Sequence, residues 1–305
     1  MATRKEHSDV RLVSSDGEVI YTSRALLIMI SPVFRDMYDL GPYAHPSTAE
    51  GDSYHAEITL AEDSSTLKAL FAYADPTTVR PPSLNIRQLF NAMSAAQKYL
   101  MEGTLERLRA ALNAPTVISS SSTESDPKEP AWSPESPKNQ QRMTTLLQSA
   151  PLPAAVLCHT FNFKDELRVA LRELSRAHID MIIKNNQECM LPACLFQYIL
   201  KRRRARAAWF KVKAKVLYAF APTGATGGCT HCMRYCGYAI QDACAKVDDH
   251  PCWDAFRGEL QRAARCSCGA PAVPLASERL HNEMTKWETE ARAMDAELPE
   301  WSPLT

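Results

Sequence analysis

Two cysteine pairs in the C-terminal half have the residue types and spacing of a metal site. Cys229 and Cys232 form a Cys-x-x-Cys pair, and Cys266 and Cys268 form a later Cys-x-Cys pair. Structural zinc is held tetrahedrally by four Cys or His ligands, often from two such pairs. We therefore expect these four thiolates to hold one zinc ion; the alternative is that they are reduced thiols packed as small apolar side chains. Because one residue between two ligands strains the chelate, other ligands near the first pair stay open: His231, Cys236, Cys244, His250 and Cys252.

A basic stretch later in the chain has the composition of a phosphate-binding or nuclear-import segment. Eight lysines and arginines lie between Lys201 and Lys215, and Trp209 and Phe210 interrupt them. Such stretches bind nucleic acid or import receptors, and interleaved aromatic rings can stack on bases. The whole chain balances 35 Lys plus Arg against 35 Asp plus Glu. We therefore favour a solvated helix face that offsets acidic segments elsewhere, and do not expect nucleic acid as a partner.

The sequence offers no nucleophile beside an activating partner. Cys158 and His159 are adjacent, but neighbouring residues on a helix do not face each other. No Gly-x-Ser-x-Gly, phosphate-binding loop or His-Glu-x-x-His motif occurs in the sequence. His178 falls on the apolar stripe of a predicted helix and is expected in the core. We therefore predict a non-catalytic protein.

Helices are predicted to carry the basic stretch, Cys158-His159 and His178, whereas the clustered cysteines lie between predicted helices. Apolar residues recur at helical spacing in five segments of the C-terminal half, which are residues 154–163, 165–183, 195–220, 253–264 and 277–298. They predict an all-α domain over residues 151–300. The preceding residues 114–150 are rich in Ser, Thr, Pro, Glu and Lys. Such a segment buries too little apolar area to offset its ordering entropy, so we expect a disordered linker.

Short strands are predicted at the start of the chain. Asp16-Gly17 separates two runs of β-forming residues, 10–13 and 19–21. An Asp-Gly pair in this setting favours the tight turn of a hairpin, because glycine tolerates positive φ. A third short strand is expected over residues 58–60. Together these runs predict a three-stranded sheet.

Helices account for the rest of the N-terminal third. Apolar residues from Leu26 to Met37 share one helical face, and Pro32 interrupts it. We therefore expect two short helices, with Ser31 as the cap of the second. Further apolar stripes predict helices over residues 64–74, 86–100 and 105–112. The fold class expected for this part is α+β.

The order of these elements resembles the BTB/POZ domain over residues 7–113. The matching positions are Asp9-Val10, Ile20, Arg24, Leu27, Ser31, Phe34, Met37, Ile58, Leu60, Glu62-Asp63-Ser64 and Ala96 to Tyr99. Three positions depart from the family pattern, since Ile20 replaces an aromatic residue, Ser23 replaces a histidine and Asp75 replaces a tyrosine. The loops are similar to those of BTB proteins from mushroom-forming fungi.

This resemblance implies protein–protein interaction. BTB domains self-associate, pair with other BTB proteins, or dock onto scaffolds such as cullin-type ubiquitin ligases, so an adaptor protein is expected. Asp9 and Arg24 match the charged positions of the family's dimer groove, and Phe34 matches its apolar core anchor. The alternatives are a zinc-containing nucleic-acid-binding regulator and an enzyme of unknown class.

Composition favours the cell interior. No apolar run reaches the roughly 18 residues of a membrane helix, and the first residues lack the apolar core of a signal peptide. The ten cysteines are then expected as free thiols or metal ligands rather than disulfides. We expect an intracellular protein, in the cytoplasm, the nucleus or both, with no membrane partner.

Overall fold

The computed structural model describes residues 9–40, 56–117, 143–219, 230–263 and 278–296. The chain divides into two compact units, Met1–Leu146 and Leu147–Thr305. The first unit combines a small sheet with helices, and the described part of the second is helical. The predicted fold class is therefore confirmed.

A three-stranded sheet opens the first unit. Its strands are β1 (Val10–Val13), β2 (Val19–Thr22) and β3 (Ala56–Thr59), in the order β2-β1-β3. Strands β1 and β2 pair antiparallel around the predicted turn, where Gly17 has a φ of 80°. Strand β3 pairs parallel with β1 and begins two residues earlier than predicted. The backbone N–H of Leu60 still donates to the carbonyl of Val13, at 2.8 Å.

Five helices complete the α+β part of the first unit: α1 (Arg24–Ile30), α2 (Pro32–Leu40), α3 (Ser64–Ala74), α4 (Ile86–Lys98) and α5 (Glu102–Leu112). The expected break at Pro32 separates α1 from α2. Asp63 caps α3 by accepting a hydrogen bond from the Thr66 N–H. The prediction that Leu100 lies on the buried stripe of α4 is wrong. The helix ends at Lys98, and Leu100 has a φ of 54° and is 57% exposed.

The core of the first unit lies where these helices meet the sheet. Side chains from each layer are less than 2% exposed, among them Leu12, Leu27, Phe34, Leu67, Leu70, Leu89, Met93 and Leu108. Burying a large apolar side chain of this kind stabilises a fold by roughly 1.5–3 kcal/mol. The stripes predicted from sequence thus supply the contacts that fix the sheet and helices.

A two-residue ladder lies at the end of the first unit. Strand β4 (Thr116–Val117) pairs antiparallel with β5 (Met143–Thr144). Both strands fall inside the stretch predicted as a linker. Residues 118–142 lie outside the described part of the chain.

The second unit is built from helices over its described residues: α6 (Leu146–Ser149), α7 (Pro151–Thr160), α8 (Lys164–Arg176), α9 (Ile179–Cys189), α10 (Ala193–Ala219), α11 (Thr230–Asp249), α12 (Trp253–Ala263) and α13 (Glu278–Ala296). Helix α6 begins one residue before the unit boundary. Helix α11 was not predicted. The long helix α10 packs against α8 and α11, and α12 contacts α13. The core beside α10 contains Phe210, Trp253, Phe256 and Trp287, each at most 4% exposed.

The helix predicted over residues 165–183 is two helices. Helix α8 ends at Arg176, and the following Ala177 is extended, with φ −64° and ψ 158°. The guanidinium of Arg203 donates to the carbonyls of Leu174 and Ala177. A side chain from α10 therefore satisfies the last carbonyls of α8. His178 lies in the break and is exposed, so the prediction that it belongs to the core is wrong.

Candidate interaction site

The start of helix α1 brings Asp9 and Arg24 together. The Asp9 carboxylate accepts a hydrogen bond from the Arg24 backbone N–H at 2.7 Å. The hydroxyl of Ser23 accepts one from the Leu26 N–H at 3.2 Å. Both side chains thus satisfy N–H groups that the first turn of a helix leaves open. The position at which the resemblance expects a histidine is therefore used here as a helix cap.

The guanidinium of Arg24 packs over an aromatic ring of helix α2. Its central carbon lies 4.6 Å from the centroid of the Tyr38 ring, on α2. A cation over an aromatic face at this distance is attracted by the ring electrons, by about 0.5–1 kcal/mol at an exposed site. The contact fixes the direction of the half-buried Arg24 side chain, while the backbone N–H of the same residue binds the carboxylate of Asp9.

Helix α1 carries apolar residues on two faces. Leu27 faces the core and is fully buried, whereas Met29 is 59% exposed. Leu26, Ile28 and Ile30 are half-buried. A single exposed methionine is ordinary on a protein surface. Here it lies between Ile28 on one side of the helix and Leu26 and Ile30 on the other, so the outer side of α1 is an apolar surface with charged residues at one end.

A buried contact joins helices α1 and α2 to the end of α4. The Ser31 hydroxyl accepts a hydrogen bond from the Phe34 N–H at 3.2 Å and donates to the Tyr99 carbonyl at 2.6 Å. Phe34 is 1% exposed, and its ring stacks on that of Tyr99 at 5.0 Å between centroids. Ser31 therefore both caps α2 and ties it to the end of α4. The Ser31-Pro32 pair predicted the helix cap, but the sequence did not predict the hydrogen bond from Ser31 to Tyr99.

The same tyrosine leads to a polar cluster. The Tyr99 hydroxyl donates to Glu62 at 2.5 Å, and the Lys98 ammonium donates to the other Glu62 oxygen at 2.7 Å. Burial would raise the pKa of Glu62, but the hydrogen bonds from Lys98 and Tyr99 outweigh it and lower that pKa. Burial, followed by the bond to Glu62, raises the pKa of Tyr99. Glu62 is therefore held ionised and Tyr99 neutral, as a structural support.

A second polar cluster fastens the hairpin turn to helix α3. The Asp16 carboxylate accepts hydrogen bonds from the Ser14 hydroxyl and, at 2.7 Å, from the Ser64 hydroxyl. The Ser64 backbone N–H also donates to it, at 3.1 Å. These bonds, with that of Ser14 the largest, lower the pKa of Asp16 to about 2. The turn residue Asp16 therefore joins the sheet to the start of α3.

The elements of the first unit and their order correspond to those expected from the resemblance. Residues 1–115 match the family model of the BTB/POZ domain. The N-terminal unit therefore carries a BTB/POZ domain, which is a protein–protein interaction module and generally not an enzyme. No curated protein matches the chain. The similarity to fungal BTB proteins stays a prediction.

The predicted zinc ligands are described only in part. Cys229, Cys266 and Cys268 lie outside the described residues, and Cys232 lies in the first turn of α11. The residues that the structure describes contain no group of three or more His, Cys, Asp or Glu placed to hold a metal ion.

Two of the alternative ligands are packed thiols. Cys252 is 5% exposed, and its sulfur lies 3.4 Å from Nε2 of His250. Burial raises the pKa of the Cys252 thiol, and it also raises that of Cys244. A raised pKa favours the neutral thiol, which is a poor metal ligand and a poor nucleophile.

The basic stretch of α10 contains inward and outward charges. Arg203 and Arg206 are at most 4% exposed. Arg203 donates to the Asp249 carbonyl at 2.6 Å, and Arg206 donates to the Pro251 carbonyl at 3.0 Å. These two arginines therefore join α10 to the connection between α11 and α12. Lys213 forms an ion pair with Glu290 of α13 at 2.6 Å.

The two aromatic residues of this stretch contribute to packing. Phe210 is fully buried and lies 5.2 Å from Phe256, between ring centroids. Trp209 meets Phe210 edge-on at 4.9 Å, and the Lys213 ammonium lies 5.0 Å from its ring. Base stacking needs exposed rings beside exposed cations, and this arrangement does not provide them. The described helices also include none long and apolar enough to cross a membrane.

Proposed function

We propose that this protein is an adaptor that acts through its BTB/POZ domain, by pairing with a second copy of the chain or with another BTB protein. The observation that carries the proposal is the family match over residues 1–115. The apolar outer side of α1 supports it, because Met29 is exposed there beside half-buried aliphatic residues.

The charges at the start of α1 suit a symmetric pair. A two-fold interface brings the same surface of both copies together, so each residue meets a residue of the other copy reciprocally. Asp9 and Arg24 are adjacent and opposite in charge. Two copies could therefore place each carboxylate near the guanidinium of the other. The Met29 side chains would then meet away from water, where apolar burial contributes about 25 cal/mol per Å².

Sedimentation velocity of the full chain tests self-association. The wild type is expected to sediment as a dimer, and Met29→Asp as a monomer, because a carboxylate would lose water inside the interface. Leu100→Asp is the matched control. It introduces the same charge at 57% exposure, close to the 59% of Met29, on a residue outside α1. A monomeric wild type, or a dimeric Met29→Asp, would refute pairing through α1.

Docking onto a cullin-type scaffold is the second mode that the domain family suggests. A purified scaffold should then co-migrate with the full chain in gel filtration. The Met29→Asp variant separates the two modes, because a monomer that still binds scaffold uses a different surface of the domain. Absence of binding to the scaffold, with a stable dimer, would leave pairing as the function.

We also propose that Cys229, Cys232, Cys266 and Cys268 hold one structural zinc. Helices α11 and α12 pack against each other across a three-residue connection. With 20 and 11 residues, they extend about 30 Å and about 16 Å. The chain after α12 must therefore cross about 14 Å to reach the start of α11. Cys266 and Cys268 follow Ala263 by three and five residues, which span up to about 10 Å and about 17 Å when extended. Cys268 can therefore reach the start of α11, and Cys266 can come within about one side-chain length of it.

Elemental analysis of the reduced, dialysed full chain tests the zinc proposal. About one zinc per chain is expected, according to the four-ligand rule for structural sites. Cys232→Ser should lose it, whereas Cys189→Ser, in a helix outside the cluster, should keep it. A chain without zinc would contradict the proposal and favour thiols that serve only in packing.

A further inference from the structure

Helix α10 has an outward side that combines aliphatic and cationic residues. We define this outer face by seven exposed residues at helical spacing: Lys201, Arg204, Ala205, Ala208, Val212, Lys215 and Val216. Val212 is 59% exposed and Val216 is 40% exposed. The face covers fifteen residue steps, which is about 22 Å of helix, or four turns.

The opposite side of α10 holds this face in a fixed direction. Phe210 and Ala214 are fully buried, in a core shared with Phe256 of α12 and Trp287 of α13. Arg203 and Arg206 bind carbonyls of neighbouring elements from the same side. Because these arginines and the buried core residues hold α10 in place, the helix cannot rotate to bury its outer face. A partner that covers the outer face must therefore approach it from solvent.

The outer face is divided lengthwise. At 100° per residue, Ala205, Val212 and Val216 lie toward one edge, while Arg204 and Lys215 lie toward the other. Among the described residues, no carboxylate forms an ion pair with Lys201, Arg204 or Lys215. The neighbouring Lys211 differs, because it pairs with Asp248 at 2.5 Å. The face thus presents an aliphatic row beside three cations that the described carboxylates leave uncompensated.

We propose that the outer face docks an acidic amphipathic helix of a partner protein. Alanine and valine let two helix axes approach to about 8–10 Å, as packed helices do. A partner helix with apolar residues at its centre and Asp or Glu along one edge would cover the aliphatic row and compensate the cations. The length of the face matches four turns of such a helix.

Three other occupants fit the face less well. A second copy of this chain would bring Lys201, Arg204 and Lys215 against cations of the same kind. A membrane-surface helix inserts Trp, Phe or Leu, and the face carries only Ala and Val. Duplex DNA needs cations positioned along both phosphate strands, whereas the cations here follow one edge of an aliphatic row.

Fluorescence anisotropy with a labelled synthetic peptide tests the inference. The probe is an 18-residue amphipathic helix with an Ala/Leu seam and a Glu edge, and its counterpart carries Lys in place of Glu. The full chain is expected to bind the Glu peptide at least about tenfold more tightly than the Lys peptide, and more weakly as salt rises. Phosphatidylserine vesicles and a DNA duplex serve as competitors.

Charge-reversed variants locate the binding. The triple variant Lys201→Glu, Arg204→Glu and Lys215→Glu should weaken binding of the Glu peptide by about tenfold or more. The control triple variant Lys164→Glu, Lys184→Glu and Lys286→Glu makes the same change in net charge at exposed positions of the same unit, and should bind like wild type.

Val212→Asp should weaken binding without altering the helical circular dichroism, since the side chain is exposed. Equal loss in both triple variants, no binding of the Glu peptide, or displacement of that peptide by vesicles or DNA would overturn the inference.

Discussion

Truncating Phe34 to alanine is expected to destabilise the BTB/POZ domain by roughly 3–5 kcal/mol, the usual cost of deleting a large buried aromatic side chain. Phe34 is 1% exposed, so nearly all of its apolar surface would be replaced by a cavity. Its stacking on Tyr99, at 5.0 Å, adds about 0.5–1.5 kcal/mol beyond simple burial. The upper part of the range is therefore expected.

Hydrogen exchange of the full chain, followed by mass spectrometry, measures this loss within the domain itself. Each 1.4 kcal/mol changes an opening equilibrium tenfold. Protection of the slowest amides in α2 and α4 should therefore fall by roughly a thousand- to several-thousand-fold. Peptides from α10 and α12, in the other unit, should keep the protection they have in the wild type.

Two further variants keep the test decisive. Phe90→Ala makes the same substitution on a half-buried ring of α4 and should cost clearly less. Phe34→Leu keeps part of the core filled, so it should remain folded if Phe34→Ala does not. Protection of α2 and α4 that is unchanged in Phe34→Ala would refute the assignment of this side chain as the core anchor.

Two other predictions concern polar groups. The lowered pKa of Glu62 means that its stabilising contribution is complete above its unfolded pKa, about 4.3, and is lost as the pH falls through the lower folded value. Urea unfolding should therefore show a smaller acid-induced loss of stability in Glu62→Gln than in wild type, whereas Glu57→Gln, on an exposed ion pair, should behave like wild type. Arg203→Met should destabilise the second unit by roughly 3 kcal/mol or more, because buried carbonyls lose a charged donor. Arg204→Met, at an exposed position of the same helix, should change stability by no more than about 0.5 kcal/mol; equal effects in a tryptophan-fluorescence unfolding assay would contradict the assigned roles.

Local chemistry made several elements predictable from sequence. The turn at Asp16-Gly17 depends on the positive φ that glycine tolerates, and the start of α2 depends on Ser31 and Pro32. Both signals lie within a few residues of the structure they determine. The parallel pairing of β1 with β3 is different, because it joins segments more than forty residues apart in sequence. No local sequence pattern predicts which strand pairs with β1 on its second edge.

The wrong predictions in the second unit also have tertiary causes. The apolar stripe from Leu167 to Met181 indicates one helix, but Arg203 binds the carbonyls at the end of α8 and His178 falls in a break. Helix α11 contains cysteines and a glycine, which have modest helix propensity. Its buried Ala243 and Val247 pack in the core beside α10, and that packing supplies the stabilisation that helix propensity alone does not.

The ladder between β4 and β5 limits the effect that the length of the intervening segment has on the rest of the chain. Thr116 pairs with Thr144, so the described chain before residue 118 and the described chain after residue 142 meet at one place. Adding or removing residues between those two positions alters loop-closure entropy by only about 0.6 kcal/mol per doubling of length. The covalent connection between the two units is instead the step from the end of β5 through Thr145 and Leu146. Residues inserted between positions 118 and 142 therefore do not lengthen that connection.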